Sequence, residues 1–348
     1  MGSLVPRLSG AAVLVIAGAL ACTGGRFGSG RSTRAPESSK PGHRLASAPC
    51  RGFDGGERPE PGCEALLYES GGLPVRGFVL RPWPPEPGRR YPAIIFNRGG
   101  NEDFGRIDAA DLRFFRGFAR EGFVVLASQY RGDDGAPGLD EFGGADVEDV
   151  LNLFPLAREL GGVDLDDVFM LGFSRGGMMT YLAIRDGAPV RAAAVVGGVS
   201  NLPALAAYRP EFLRIWKRLI PDFDENSRAL MRERSAVLWA DRLDKPLLLL
   251  HGGADRRVPA EQSRELAEAL HRAGRSVELD VFPGDDHMIS AHAEARDARI
   301  VEWFLAHGAP ERSAAGAGPW RPSAESAAGP FAPGDRQSDA TPSARAGP

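Results

Sequence analysis

Residues 168–185 read Val168-Phe169-Met170-Leu171-Gly172-Phe173-Ser174-Arg175-Gly176-Gly177-Met178-Met179-Thr180-Tyr181-Leu182-Ala183-Ile184-Arg185. An apolar run of strand length meets a segment of helical spacing, and Ser174 stands at the junction inside Gly172-Phe173-Ser174-Arg175-Gly176. A strand-to-helix turn this tight leaves no room for side chains beside its central residue, hence the flanking glycines. It exposes the Ser174 hydroxyl above a sheet and offers the backbone N–H of Arg175, at a helix N-terminus, as a donor to an oxyanion. The pattern G-x-S-x-G alone also fits a structural glycine-rich turn. Its position between strand and helix argues for a nucleophile.

Outward from this turn the chain alternates between strand-like and helix-like segments. Strands are expected at 65–68, 75–80, 93–96, 123–127, 168–173, 192–196, 246–250 and 277–282. Helices are expected at 109–121, 146–160, 176–185, 261–273 and 293–307. The first two strands read as an antiparallel pair across Gly71-Gly72. The continuous apolar run at 246–250 reads as a central buried strand. The helix at 146–160 has an acidic first turn that suits the helix dipole. The pattern predicts an α/β protein with about eight strands in a mostly parallel sheet and helices on both faces. An irregular insertion at 199–243, with Tyr208, Phe212, Trp216 and Phe223, precedes the penultimate strand and is expected to wall an acyl pocket.

A serine hydroxyl is a weak nucleophile at neutral pH, so it needs a base and a group to orient that base. On this scaffold the chain order is serine, then acid, then histidine. The run at 246–250 leads into His251-Gly252-Gly253-Ala254-Asp255, which puts Asp255 just past a strand's C-terminal end, where α/β sites lie. The last strand leads into Pro283-Gly284-Asp285-Asp286-His287 ahead of the final helix. Asp255 and His287 are therefore the expected acid and base. His292 is the one rival to His287. His251 closes a buried strand and reads as a satisfied core residue, while His43, His271 and His307 fall in the leading segment, on an exposed helix face and at a helix end. Asp285 and Asp286 read as loop caps.

A second oxyanion donor is expected from Asn97-Arg98-Gly99-Gly100-Asn101, after the early strand, with the backbone of Arg98 or Gly99 as candidates. The Arg98 and Arg175 side chains either recognise a substrate carboxylate or pair with loop acids such as Asp103 or Asp134.

Gly172 to Gly177, the run His251-Gly252-Gly253-Ala254-Asp255-Arg256-Arg257-Val258-Pro259, and Gly284-Asp285-Asp286-His287 together resemble the catalytic domain of the prolyl oligopeptidase family of serine peptidases. Tyr130-Arg131-Gly132 and the segment 144–150 are similar to that family as well. The resemblance covers residues 64–307. It implies the α/β-hydrolase fold, with Ser174, Asp255 and His287 as the triad. Two departures are visible: no segment ahead of residue 64 reads as the β-propeller that typical members carry, and Asn-Arg-Gly-Gly replaces the commoner His-Gly-Gly or Tyr-containing loop. A peptidase and a carboxylic-ester hydrolase are thus both open, with a non-catalytic binding protein as a remote third reading. No metal or organic cofactor is expected, and the substrate is a small peptide or ester.

The 348-residue chain has an ordinary globular composition, 43% hydrophobic and 25% charged, and a net charge of −4, so nothing marks it for nucleic acid. Arg7 and the apolar run 8–21 read as a signal peptide, too short for a comfortable membrane span. Ala19-Leu20-Ala21-Cys22 permits either lipidation of Cys22 or plain cleavage and secretion; an uncleaved anchor is the third option. All three place the protein outside the cytoplasm, with membrane contact only through the N-terminus. Residues 22–48 read as a flexible tether, 49–308 as the catalytic domain and 309–348 as a disordered tail. With Cys22 consumed by lipid, Cys50 and Cys63 are expected to form a disulfide, free thiols being the alternative.

Overall fold

A computed structural model describes residues 40–53, 56 and 58–309. The expected signal segment, Cys22, most of the expected tether and the tail from residue 310 lie outside the described residues. The chain forms a nine-stranded sheet in the order β1-β2-β3-β5-β4-β6-β7-β8-β9. The strands are β1 Arg44–Arg51, β2 Pro59–Ser70, β3 Leu73–Leu80, β4 Tyr91–Asn97, β5 Val124–Ser128, β6 Val163–Phe173, β7 Ala192–Val196, β8 Leu247–Gly252 and β9 Val277–Phe282. Strands β1, β2, β3 and β5 pair antiparallel. From β5 through β4, β6, β7 and β8 to β9 every pair is parallel. Every residue of β4, β5, β7 and β8 is buried. That is the burial expected of parallel strands covered on both faces, and it explains their unbroken apolar runs.

The helices are α1 Ala109–Arg120, α2 Val147–Leu151, α3 Leu153–Leu160, α4 Arg175–Arg185, α5 Leu202–Tyr208, α6 Phe212–Leu219, α7 Phe223–Glu233, α8 Glu261–Arg272 and α9 Ala293–His307. Helices α1 and α9 bury Phe114, Phe115, Phe118, Ile300 and Phe304 in one core cluster. Helices α2, α3, α4 and α8 bury Val150, Leu156, Met179, Leu182 and Leu266 in the other. Asp108 caps α1 through a reciprocal capping box with Asp111.

Several sequence expectations need correction. The tether expected to run to Ala48 ends earlier, because Arg44 to Ala48 pair with β2 from Tyr68 to Ala65. Leu45 is the one large apolar side chain of this segment and it is exposed, so its composition does not mark an edge strand held by backbone hydrogen bonds. His43, at its margin, bonds Glu159 at 2.7 Å. The expected disulfide joins Cys50 to Cys63 with 5.4 Å between Cα atoms, and both residues are buried. The helix expected at 146–160 breaks at Asn152. Pro155 has no N–H to donate to Leu151, and its ring crowds that carbonyl. The insertion at 199–243 is helical, not irregular, forming α5 to α7 and two short 3-10 turns. Among the described residues no helix is long and apolar enough to cross a membrane.

Candidate active site

Ser174 follows the last residue of β6 and precedes the first of α4, with φ 56° and ψ −121°. A non-glycine residue held there stores strain on the order of 1–3 kcal/mol, so the surroundings must over-determine it. The Ser174 N–H donates to Val196 O at 2.9 Å, and Ser174 O accepts from Gly177 N at 2.9 Å. A Cβ on Gly176 would lie 1.9 Å from Asn97 O and 2.8 Å from Arg98 O. No side chain fits there, and the same approach brings the backbone at the end of β4 against the first turn of α4.

Asp255 lies in the turn after β8 and His287 in the loop between β9 and α9. The order β6-β7-β8-β9 puts both beyond the same C-terminal sheet edge as Ser174. His287 Nδ1 is 2.6 Å from Asp255 Oδ2. The ring also packs on the end of β7, where a Cβ on Gly197 would come within 3.0 Å of its Cε1 and Nδ1 atoms. The other carboxylate oxygen, Asp255 Oδ1, accepts from the N–H groups of Arg257 (2.8 Å) and Val258 (2.9 Å). Burial pushes the Asp255 carboxyl up, but hydrogen bonds from His251 and His287, and the His287 charge, outweigh it and hold the acid well below the usual range. His287 Nδ1 facing a carboxylate makes Nε2 the nitrogen left to take a proton.

His292, the rival base, bonds Asp285 at 2.8 Å and leaves Asp255 alone. Asp285 and Asp286 cap the loop: Asp285 accepts from the N–H groups of Asp286 and Ala291, and Asp286 from those of Met288 and Ser290. His251 is fully buried, as a core residue should be, yet it also contacts Asp255 Oδ2 at 3.1 Å.

The candidate oxyanion loop after β4 holds Arg98 and Gly99, and Gly100 follows with φ 72°. The arginine side chains are not turned to substrate. Arg98 is 1% exposed; it forms an ion pair with Asp133 and donates to the carbonyls of Gln129, Gly99 and Glu102. Arg175 makes a bidentate pair with Asp140 at 2.6 and 2.7 Å, bonds Asp146 at 2.5 Å and donates to Gly100 O at 3.1 Å. Both guanidinium groups lie about 5 Å from the Tyr130 ring centre, at 5.0 and 5.1 Å. Pairing with loop acids is therefore the outcome, but the partners are Asp133, Asp140 and Asp146 instead of Asp103 or Asp134. Sequence reading missed these three. Their one signal was the density of aspartates between 133 and 149, and Asp146 looked like an ordinary helix-start acid.

The insertion meets this loop through Arg218 of α6, 2.5 Å from Glu102. Trp216, expected near an acyl pocket, is instead fully buried among Phe142, Phe212 and Phe223.

An α/β sheet with a strained serine turn beside a buried histidine–aspartate pair defines the α/β-hydrolase class. Residues 113–309 match the model of the prolyl oligopeptidase family. The chain is 31% identical over 241 residues to the uncharacterized peptidase YtmA of Bacillus subtilis, covering 69% of this chain and 91% of that protein. Against the uncharacterized peptidase YuxL of the same organism it is 29% identical, covering 68% of this chain and 37% of that one. A Mycobacterium tuberculosis puromycin-hydrolysing peptidase of known structure superposes with a TM-score of 0.62 at 26% identity, over 72% of this chain and 40% of its own. The chain thus spans nearly all of YtmA but well under half of the other two. It belongs to the prolyl oligopeptidase family of serine peptidases, and it is a hydrolase.

Proposed function

We propose that this protein cleaves short peptides through an acyl-enzyme, with Ser174 as nucleophile, His287 as general base and Asp255 as the group that orients and charges it. Ser174 Oγ adds to the carbonyl carbon while its proton passes to His287 Nε2. Collapse of the tetrahedral species breaks the C–N bond, and His287 returns that proton to the departing amine. Water then attacks the ester carbonyl, giving a proton to His287, which restores it to Ser174. The N–H groups of Arg175 and of Arg98 or Gly99 receive the negative oxygen. The observation that carries this reading is the 2.6 Å contact between His287 Nδ1 and Asp255 Oδ2, at the sheet edge where Ser174 occupies its strained turn. Peptide substrates are supported by the relatives, whose names mark them as peptidases.

The test compares kcat/KM on short peptide amides and on p-nitrophenyl acyl esters, with Ser174→Ala as control. Amide cleavage lost in the variant supports the proposal. Ester turnover without any amide cleavage replaces it with a carboxylic-ester hydrolase.

The same reading has the protein exported, with Cys22 either lipidated or released after Ala19-Leu20-Ala21. The Cys50–Cys63 disulfide favours it, since such bonds persist in oxidising compartments. Mass spectrometry of the mature N-terminus checks it: a lipid on Cys22 identifies an anchored form, an unmodified Cys22 start identifies plain cleavage, and a retained Met1 sinks both.

A further inference from the structure

Asp255 Oδ2 serves two histidines. One is His287. The other is His251, the penultimate residue of β8, which is 0% exposed. His251 Nε2 lies 3.1 Å from Asp255 Oδ2 and 2.9 Å from Val258 O. Its Nδ1 lies 2.7 Å from the hydroxyl of Ser263, in the first turn of α8 and 1% exposed.

These partners decide the tautomer. A carboxylate and a backbone carbonyl both accept and cannot donate, so Nε2 must carry the proton. In a neutral ring Nδ1 is then the acceptor, and the Ser263 hydroxyl must donate to it. The result is a directed chain in which Ser263 O–H donates to His251 Nδ1 and His251 Nε2–H donates to Asp255 Oδ2. His287 Nδ1–H reaches the same oxygen from the other side. With Arg257 and Val258 on Oδ1, the Asp255 carboxylate receives four N–H groups, which fixes both its rotation and the direction from which His287 can dock.

We infer that His251 and Ser263 form a buried positioning arm for the catalytic acid, one that holds Asp255 in the orientation His287 requires. Neither residue touches substrate: both are sealed below the site. The inference rests on the triad reading above. Removing the Ser263 hydroxyl leaves the buried Nδ1 without a donor and takes away the anchor at the far side of the ring. The ring can then shift off Asp255 and Val258, and the carboxylate loses one of the four donors that hold it toward His287.

The experiment uses the full chain with Ser263→Ala, Ser263→Thr, His251→Asn and His287→Ala. Ser263→Ala is expected to lower kcat by about tenfold with KM unchanged, the signature of lost organisation and not of lost binding. The far-downfield proton NMR resonance of the His287–Asp255 hydrogen bond should move or broaden in the same variant. Ser263→Thr, which keeps a hydroxyl donor, should restore both. Rates are referred to protein with a wild-type near-ultraviolet circular dichroism spectrum. His251→Asn, tested the same way, gives a second measurement if a Ser263 variant fails to fold. A Ser263→Ala enzyme with wild-type kcat and an unmoved resonance overturns the inference while leaving the triad standing. Full turnover by His287→Ala overturns the triad reading itself, and the arm with it.

Discussion

Ser174 and His287 were found by different kinds of signal, and they should respond differently to substitution. Ser174 announces itself through its own turn, whereas His287 is marked by its place after the last strand and by its contact with Asp255. His287→Ala should lower kcat by about 10⁶-fold, as removal of a triad base does elsewhere. His292→Ala should leave kcat within about twofold, because His292 bonds Asp285 and not Asp255. Steady-state rates on one peptide amide compare the two, and the reverse ranking would transfer the base to His292. Fluorophosphonate labelling should vanish in Ser174→Ala. His251 shows how residue type misleads at this scale: a core histidine in its burial, it is also a donor to the acid in its contacts.

At the scale of elements, the site depends on loops that no helix or strand contains. The segment between β5 and α2 folds under the start of α4 because Arg175 recruits Asp140 and Asp146 from it. Asp140 in turn accepts from the Glu102 N–H, and Arg175 donates to Gly100 O, so one guanidinium fastens the candidate oxyanion loop to the nucleophile helix. Arg175→Met should lower stability by about 3–5 kcal/mol, because it leaves two carboxylates buried without their partner. Arg218→Ala removes an exposed ion pair to Glu102 and should change stability by under about 1 kcal/mol. Urea unfolding of both variants checks the contrast; equal effects would mean that the buried network is not what holds this edge together.

At the scale of the whole molecule, two carboxyls of the site and its support tie stability to acid. Burial pushes Asp140 up, but the Arg175 charge and hydrogen bonds from Arg175, Glu102 and Phe142 bring it below its usual value, and Asp255 is likewise depressed. A carboxyl whose folded value lies below its unfolded one contributes stability that is fully present above about pH 4 and is lost as pH falls through the folded value. The share of stability these two supply should therefore fall away below about pH 4, against the opposite contribution of Asp111, Asp149 and Asp297, which burial raises; thermal unfolding should show a weaker acid dependence in Asp140→Asn than in the wild type. The disulfide acts at the opposite end of the sheet order, closing the turn between β1 and β2. Cys50→Ser with Cys63→Ser should cost about 3 kcal/mol by loop-closure entropy, somewhat more with the buried packing of both sulfurs, and should leave kcat unchanged. Chemical unfolding and peptide hydrolysis measured on one preparation separate the two effects.

The sequence by itself determined the order of the eight strands from β2 to β9 and of the helices outside the insertion, the class of fold and the identity of the three candidate residues. Those features are written in local patterns: apolar runs of strand length, helical spacing, and a glycine-bracketed serine between them. Asp255 and His287 were legible because each follows such a run directly. What only the tertiary structure decided was pairing across distance. Arg175 and Asp140 are 35 residues apart, and His251 and Ser263 are 12 apart in separate elements, so nothing local ties them. Residues 44–48 became a strand because β2 offered an unpaired edge, a fact held in β2 and not in those residues. The break at Asn152 follows from Pro155, a signal masked by the helical spacing around it. Side-chain direction made the remaining difference. Arg175 follows the nucleophile and Arg98 follows the neighbouring strand β4, yet burial turned both inward, where a charge needs a carboxylate or a ring of carbonyls to remain below the surface.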